Sequence, residues 1–151
     1  MSELSFQVEL EWSGRGRDGA GRILTDDLEL ELSTPAAMGG RGIGTNPEEL
    51  LVSAVASCYA ATLFGVLGRK GLPAGSVTVD ARGSVTGYPG KSRFERIVVS
   101  PTIVDGDPGR VHDYERAAAE AHDRCFIGGT IAGAVDYRVG WVAVTPAEVP
   151  A

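Results

Sequence analysis

The longest uncharged stretch of the chain runs from Leu50 to Leu67 and predicts a helix that is apolar on nearly every side. Asn46 before Pro47 is typical of a helix N-cap with proline at the first helical position. The acidic residues that begin at Glu48 suit the positive end of the helix dipole, and Gly71 marks the expected end of the helix. Because such a helix has no polar face, either lipid or protein must enclose it.

A membrane span is one possible enclosure, because 18 uncharged residues meet the minimum length for crossing a bilayer. The stretch is, however, rich in Ser, Thr, Ala and Gly, and it stands alone in a chain otherwise made of amphipathic strands. We therefore expect a sheet of the protein itself to wrap around a central helix.

Five other segments have the alternation of apolar and polar residues that predicts strands. They are Phe6–Trp12, Arg22–Leu32, Val77–Val85, Phe94–Val104 and Val135–Trp141. The first reads as a clean half-buried strand, and it forms a hairpin with the second. In the fourth, the apolar positions change phase near Val98, which predicts a bulge or burial of both faces.

A second helix is predicted from Arg110 to about Asp123. Its apolar face consists of Val111, Tyr114, Ala117, Ala118 and Ala121. The resulting order, ββ-α-ββ-α-β, is typical of an α+β domain in which antiparallel hairpins pack on helices. The Pro- and Ala-rich tail from Thr145 is expected to be frayed.

Composition narrows the class of protein and its partners. A length of 151 residues predicts one domain over residues 1–151, and 43% hydrophobic residues are ordinary for a globular protein. A net charge of -6 argues against nucleic acid and anionic membrane as partners, since both prefer basic surfaces. The first residues lack the pattern of a signal peptide, so we expect a cytoplasmic protein whose two cysteines form no structural disulfide.

The first predicted turn contains Gly14, Gly16 and Gly19 in the spacing of a dinucleotide-binding loop. That loop requires a following helix whose N-terminus holds pyrophosphate, whereas here a strand follows, so the match is coincidental. What the turn does offer is a group of arginines: Arg15, Arg17 and Arg22. A solvated hairpin tip is the simpler interpretation of these cations.

Cys58 lies inside the long helix, where a free cysteine commonly behaves as a small buried hydrophobe. It is too far from the helix N-terminus for the dipole to activate it, so a reactive thiolate requires a cation from elsewhere in the fold. Cys125 follows the second helix at a bend before Gly128, where backbone amides can point at its sulfur. A second inert core cysteine is an equally good interpretation of Cys125.

His112 and His122 are ten residues apart on the predicted second helix. Ten residues rotate a helix by about 280°, so the two side chains do not share a face. No carboxylate-rich cluster joins them, and we expect two surface histidines and no metal site.

Several motifs taken together resemble the OsmC/Ohr family, the osmotically inducible protein C and organic hydroperoxide resistance proteins. They are Gly-Thr-Asn-Pro-Glu-Glu-Leu-Leu at residues 44–51, Ala-Ser-Cys-Tyr-Ala at residues 56–60, and a second cysteine after an Ala/Glu-rich helix. The segment Gly-Arg-Asp-Gly at residues 16–19 looks like the arginine-bearing loop of the family. The resemblance extends from the first hairpin to the last strand.

The resemblance implies a role for each site residue. Cys58 is expected to be the peroxidatic cysteine, Cys125 the resolving cysteine, Arg17 the activating arginine and Glu48 the partner that orients it, with Arg15 as the alternative to Arg17. The implied fold is an α+β intertwined homodimer, in which antiparallel sheets wrap around two central helices and the sites lie at the subunit interface. The implied activity is that of a thiol peroxidase without a bound cofactor, which an external dithiol such as a lipoylated protein re-reduces.

The implied chemistry agrees with the residues. An ordinary cysteine thiol, with a pKa of about 8.5, is mostly protonated at neutral pH, and a guanidinium corrects this while also stabilising the departing alkoxide. Glu48 and Cys58 are about 15 Å apart on one straight helix, so we expect a bend near Glu48 or a group from the partner subunit. The apolar helix beside the thiol favours alkyl and fatty-acid hydroperoxides over hydrogen peroxide.

Two other classes of function fit the same motifs. One is a non-enzymatic dimeric module of the same fold that binds a small apolar ligand and carries inert cysteines. The other is an enzyme of disulfide exchange or sulfur transfer that uses no peroxide. A cation near Cys58 and a reachable Cys125 are the features that separate the peroxidase from both.

Overall fold

The computed structural model describes residues 2–148 of the chain, which form two compact units that divide after Leu50. The expectation of a single domain over residues 1–151 stays a prediction. Each unit has its own sheet.

The first unit contains a three-stranded antiparallel sheet with strands in chain order. The strands are β1 (Glu9–Ser13), β2 (Ala20–Leu24) and β3 (Glu29–Ser33). Short 3-10 turns cover Gly16–Asp18 and Ala36–Met38. The prediction of one strand from Arg22 to Leu32 is wrong, because a turn separates β2 from β3.

The turn between β2 and β3 is held by two hydrogen bonds between Thr25 and Leu28. The Thr25 amide donates to the Leu28 carbonyl at 2.9 Å, and the Leu28 amide donates to Thr25 Oγ1 at 3.1 Å. The two aspartates between these residues are ordinary turn formers. The first unit is therefore a meander of three strands rather than a single hairpin.

The prediction of a half-buried first strand is also wrong for this chain. The strand begins at Glu9 rather than Phe6, and every residue of β1 is exposed. The Phe6 side chain before it is 88% exposed and the Trp12 side chain within it is 45% exposed. The predicted alternation is real, but a single chain leaves the apolar side uncovered.

Helix α1 (Pro47–Arg69) confirms the long helix predicted from the sequence. Asn46 Oδ1 accepts a hydrogen bond from the Glu49 amide at 2.8 Å, and Asn46 Nδ2 donates to Glu49 Oε1 at 2.6 Å, so the predicted N-cap is confirmed. In the described part of the chain, α1 is the one helix long and apolar enough to span a membrane, a test that core helices of soluble proteins also pass.

The second unit combines a mixed sheet with two further helices. Its elements are β4 (Ser76–Thr86), β5 (Arg93–Gly106), α2 (Val111–Arg124), α3 (Phe126–Ile131), β6 (Asp136–Val139) and β7 (Ala143–Pro146). Strands β4 and β5 are antiparallel, as predicted. Strands β6 and β7 both pair with β5 in parallel, so this sheet is mixed.

Strand β7 was not predicted: Ala143 and Val144 were assigned to no element, and Thr145 and Pro146 lie in the tail that was expected to fray. Thr102 and Ile103 of β5 pair with Ala143 and Val144. Strand β7 has only four residues, which is the lower limit for recognising an alternating pattern. The prediction of a frayed tail is therefore wrong for residues 145–146, which belong to β7. Residues 149–151 lie outside the described chain.

Strand β5 confirms the predicted burial of both faces. Ile97, Val99 and Ile103 are completely buried. Ser100 and Pro101, which lie between them, are also buried. The β4–β5 register also shifts between Ser84 and Val85. The change of phase in the sequence therefore marks a strand that the molecule covers from two sides.

The core of the second unit is formed by one side of α1, the apolar face of α2 and the centre of β5. From α1 it includes Val55, Tyr59, Leu63, Val66 and Leu67, and from α2 it includes Tyr114, Ala117 and Ala121. The small alanines allow α2 to approach the sheet closely. The predicted apolar face of α2 is confirmed.

Candidate active site

Cys58 lies in the middle of α1, one residue before the buried Tyr59. Its thiol is half-buried, at the edge of the core rather than inside it. Beside it lies an open groove of about 520 Å³, lined by Ala54, Ser57, Cys58, Ala61, Thr62, Phe126 and Ile127. The sulfur is therefore accessible to a small molecule along a mostly apolar surface.

Cys125 lies at the junction where α2 ends and α3 begins. It is 1% exposed, and its sulfur accepts a hydrogen bond from the Gly128 amide at 3.4 Å. This confirms the expectation that a backbone amide at the bend points at the sulfur. The junction fixes the geometry, since the Cys125 amide still donates to Ala121 while its side chain caps α3.

Both cysteines are free thiols, and Cys58 lies close enough to Cys125 to influence its titration. Burial raises the pKa of Cys125, and the nearby Cys58 thiol raises it further. The Gly128 amide, which donates to the sulfur, lowers it, and the nearby Tyr137 hydroxyl also lowers it. Residues 67 positions apart in sequence thus form one site with an accessible sulfur and a buried sulfur.

Glu48 lies in the first turn of α1 and belongs to the first unit. Its Oε2 oxygen is buried and has no hydrogen-bond partner within residues 2–148. A buried carboxylate oxygen of this kind fits a guanidinium donor. The predicted role of Glu48 as the partner of an arginine is consistent with this unpartnered oxygen and stays a prediction.

Arg17 lies in the 3-10 turn at Gly16–Asp18 of the first unit, where it is exposed. Its guanidinium packs beside Gly39, so that a Cβ atom at Gly39 would lie 3.0 Å from Arg17 Nε. Among the described residues neither Arg17 nor the alternative Arg15 forms an ion pair. The structure therefore does not join Arg17 to Glu48.

Arg22, the third arginine near the predicted turn, has a structural role. From β2 it forms ion pairs with Glu11 of β1 at 2.7 Å and with Glu29 of β3 at 2.6 Å. Hydrogen bonds to the Glu11 and Glu29 carboxylates raise the pKa of Arg22, and the bond to Glu11 has the larger effect. Arg22 and its partners Glu11 and Glu29 therefore stabilise the three-stranded sheet.

The two histidines differ in their surroundings. His112 is exposed and contacts Glu115, as expected for a surface residue. His122 is only partly exposed: its ring stacks on Tyr137, and its Nε2 atom lies 2.8 Å from the Tyr137 carbonyl oxygen. The prediction of a surface position is wrong for His122, which packs against the last part of the sheet. Within residues 2–148 no group of three potential metal ligands comes together.

Tyr137 is the residue beside the cysteines that the sequence did not single out. It appeared as one of several apolar positions of a strand, whereas the structure buries its hydroxyl near Cys125. The two consecutive glycines after Cys125 are the one feature that could have indicated a large side chain packed against this segment.

Comparison with known proteins places these observations in a family. The model of the OsmC-like protein family matches residues 39–139, which include Glu48 and both cysteines. The chain belongs to the OsmC/Ohr family. The uncharacterized protein YmaD of Bacillus subtilis (strain 168) is 30% identical over 142 residues, covering 92% of this chain and 94% of the relative.

Two other relatives extend the comparison of this OsmC/Ohr protein. The organic hydroperoxide resistance protein of Xanthomonas axonopodis pv. citri (strain 306) is 34% identical over 77 residues, covering 50% of this chain and 54% of the relative. The crystal structure of an organic hydroperoxide resistance protein OsmC from Legionella pneumophila has a TM-score of 0.70 at 25% identity, covering 94% of this chain and all of that chain. The α+β fold inferred from the motifs is therefore confirmed.

Proposed function

We propose that this OsmC/Ohr protein is a thiol peroxidase that reduces organic hydroperoxides to alcohols and thereby contributes to peroxide resistance. The observation that carries the proposal is the pair of free thiols, with Cys58 beside an apolar groove and Cys125 buried next to it. A binding module would have no need for a second thiol near the first. The names of the relatives from Xanthomonas and Legionella support the same substrate class.

The reaction begins with attack of the Cys58 thiolate on the outer oxygen of the hydroperoxide. The O–O bond breaks, the alcohol leaves, and Cys58 becomes a sulfenic acid. Cys125 then condenses with the sulfenic acid, which releases water and forms a disulfide. An external dithiol, for example on a lipoylated protein, reduces the disulfide and completes the cycle.

The groove supports a preference for organic over inorganic hydroperoxides. Its lining is largely apolar, and Phe126 at its edge is 72% exposed. Each buried CH₂ group of an alkyl tail contributes about 0.8 kcal/mol of binding, which hydrogen peroxide cannot gain. Alkyl and fatty-acid hydroperoxides are therefore the proposed substrates.

In this proposal Arg17, or Arg15 in its place, supplies the cation that activates the peroxidatic thiol and stabilises the departing alkoxide. Glu48 orients that guanidinium through its unpartnered buried oxygen. The protein acts as a homodimer. The exposed apolar side chains of the β1 segment and the exposed Phe64 of α1 support this assembly, because a second copy would cover them.

The experiment that tests the activity adds one equivalent of tert-butyl hydroperoxide to reduced protein and measures intact mass. Wild type should lose two hydrogens as the disulfide forms, whereas Cys125→Ser should accumulate a dimedone-reactive sulfenic acid at Cys58. Cys58→Ser is the matched control and should remain unmodified. Unchanged mass in wild type and in Cys125→Ser would refute the peroxidase and favour a binding module.

A further inference from the structure

The junction that carries Cys125 has little stability of its own. Helix α2 ends at Arg124 and α3 begins at Phe126, so Cys125 is the single residue between them, and we call this junction the α2–α3 corner. Helix α3 has only six residues, two of which are Gly128 and Gly129. Such a short helix is marginal alone, and glycine disfavours it further. Contacts from elsewhere in the fold must therefore fix the angle between the two helices.

Tyr137 of β6 contacts the corner on both sides of Cys125. On the α3 side, the edge of its ring packs on Gly128, where an added Cβ atom would lie 2.1 Å from Tyr137 Cε2. On the α2 side, its ring stacks on His122, with the ring centroids 4.3 Å apart. The sheet holds Tyr137 itself, because this residue pairs with Ile97 in the β5–β6 ladder. One anchored ring therefore contacts the residues three positions before and three positions after Cys125.

His122 adds a hydrogen bond to the stack. Its Nε2 atom lies 2.8 Å from the Tyr137 carbonyl oxygen, which can only accept, so Nε2 carries the proton. The Cys125 amide donates to the Ala121 carbonyl at 2.9 Å, so the Cys125 backbone moves with the end of α2. The stack and the hydrogen bond between His122 and Tyr137, which we call the clamp, thus tie the end of α2 to β6.

The corner lies beside the other thiol of the site. The two residues that follow Cys125 line the same groove as Cys58. The Gly128 amide donates to the Cys125 sulfur at 3.4 Å, so the glycine that packs on Tyr137 also orients this sulfur. A rotation of the corner therefore changes where the Cys125 sulfur lies relative to Cys58.

We propose that His122 is a positioning residue that, by clamping Tyr137, holds the Cys125 sulfur within reach of Cys58. The inference rests on the proposed dithiol chemistry of the two cysteines. His122 acts through Tyr137 and the corner rather than on a reacting atom. Groups that the fold holds in reacting geometry have already lost the freedom that bond formation would otherwise cost. The clamp therefore favours the Cys58–Cys125 disulfide and lowers its reduction potential.

The clamp also affects the rate at which the disulfide forms. The Cys125 sulfur attacks the sulfur of the Cys58 sulfenic acid, the S–S bond forms as the S–O bond breaks, and hydroxide takes up the thiol proton and leaves as water. A corner that moves freely presents the sulfur for attack during a smaller fraction of the time, so the sulfenic acid persists for longer. Attack of Cys58 on the hydroperoxide comes before this step and does not require the corner.

The first test measures the reduction potential of the Cys58–Cys125 pair in wild type, His122→Ala and His112→Ala. The disulfide is formed with diamide, which requires no peroxidase activity, and is equilibrated with reduced and oxidised dithiothreitol. His112 is the matched control, because it lies on the same helix, is exposed and contacts Glu115. In His122→Ala we expect the equilibrium constant for disulfide formation to fall about tenfold, which raises the potential by about 30 mV. His112→Ala should keep the wild-type potential.

Two further variants separate the parts of the clamp and serve if His122→Ala folds poorly. His122→Phe keeps an aromatic ring on Tyr137 but loses the hydrogen bond, whereas His122→Gln keeps a donor but loses the ring. Each should show part of the shift in potential, because each retains one of the two contacts. A purely structural role would destabilise the oxidised and reduced proteins equally and leave the potential unchanged.

The second test reaches the same ring from α3. Gly128→Ala places a Cβ atom against Tyr137, whereas Gly129→Ala, the same change one position later, meets no atom within 4 Å. The first variant should raise the potential and the second should not. When Gly128→Ala is combined with His122→Ala, the two shifts should add incompletely, because both act through one ring.

Rapid quench and mass spectrometry after addition of tert-butyl hydroperoxide follow the two chemical steps. In His122→Ala, oxidation of Cys58 should keep its rate, while conversion of the sulfenic acid to the disulfide should slow about tenfold. Equal potentials in wild type and His122→Ala, equal shifts in His122→Ala and His112→Ala, or no disulfide with diamide would overturn the proposal. If hydroperoxide leaves wild type unmodified while the potentials separate as expected, the peroxidase fails and the positioning role stands.

Discussion

Strands β1 and β5 both carry apolar side chains, but those of β5 are buried or half-buried and those of β1 are exposed. Ile97 and Ile103 of β5 are completely buried, with neighbouring strands on either side and a core that includes residues of α1 and α2. In the β1 segment, Leu10 and Trp12 remain exposed, and so does Phe6 before it. The first strand has a sheet partner on one side only.

The difference shows that a pattern of apolar residues predicts a surface that must be buried. It does not predict whether the same chain or a second molecule buries that surface. Strand β5 finds its cover within its own unit. The β1 segment does not find cover within the described chain, and contiguous exposed apolar surface of this kind marks interaction sites. The proposed homodimer gives the β1 segment the same environment that β5 already has.

The largest expected effect lies in the buried strand. Ile103→Ala removes a completely buried side chain and leaves a cavity, so the free energy of unfolding should fall by about 2–5 kcal/mol. Urea unfolding at one fixed protein concentration measures it. The control is Thr78→Ala in the neighbouring strand, an exposed position that should change stability far less. Equal losses in the two variants would contradict the assignment of this core.

The next effect concerns the exposed segment. Phe6→Ser should leave the stability of a single chain nearly unchanged, since the side chain is 88% exposed, but should weaken the proposed dimer. Burial of one phenylalanine contributes about 1.5–3 kcal/mol, so the dissociation constant should rise at least about tenfold.

Sedimentation over a range of protein concentrations measures this dissociation directly. The exposed neighbour Gln7→Ser is the matched control and should associate like wild type. A wild-type protein that sediments at 15.7 kDa at every concentration would show that the β1 segment has no second copy to cover it.

The smallest expected effect is a dependence of stability on alkaline pH that arises in the second unit. Burial raises the pKa of Cys125, so the folded protein keeps a proton that the unfolded chain releases above about pH 8.5. The contribution of this thiol is complete below that pH and is lost as pH rises through the folded-state pKa.

The comparison of wild type with Cys125→Ser isolates this contribution, because both keep the buried Tyr59 and Tyr137, whose pKa values burial also raises. Urea unfolding at pH 7 and pH 10 should show a steeper loss of stability in wild type. Parallel losses in the two proteins would indicate that the thiol titrates as freely in the folded state as in the unfolded chain.

Helices and strands were predictable from the sequence wherever neighbouring residues, such as a capping side chain, mark where the element begins or ends. The cap at Asn46 and the apolar face of α2 follow from interactions within one or two turns, and both are confirmed. The turn at Thr25–Leu28 was missed because alternation continues on both sides of it. Strand β7 was missed because its pairing depends on β5, some forty residues earlier in the chain.

For the candidate site, the motifs around Cys58 and the second cysteine identified the two thiols, and family membership supports that choice. No local pattern indicated that Tyr137 would approach Cys125, because a tyrosine in an alternating segment resembles any other apolar position. The roles of Arg17 and Glu48 stay predictions, since the structure leaves Arg17 without an ion pair and Glu48 Oε2 without a partner among residues 2–148.

The sequence by itself determined where the two long helices lie, which of their faces are apolar and which two thiols the chain contains, because these depend on spacing and on residue type. Only the tertiary structure decided that one thiol borders an open groove while the other is buried against Gly128 and Tyr137. The reason is that accessibility and hydrogen bonding depend on segments far apart in sequence, whose packing no single segment encodes.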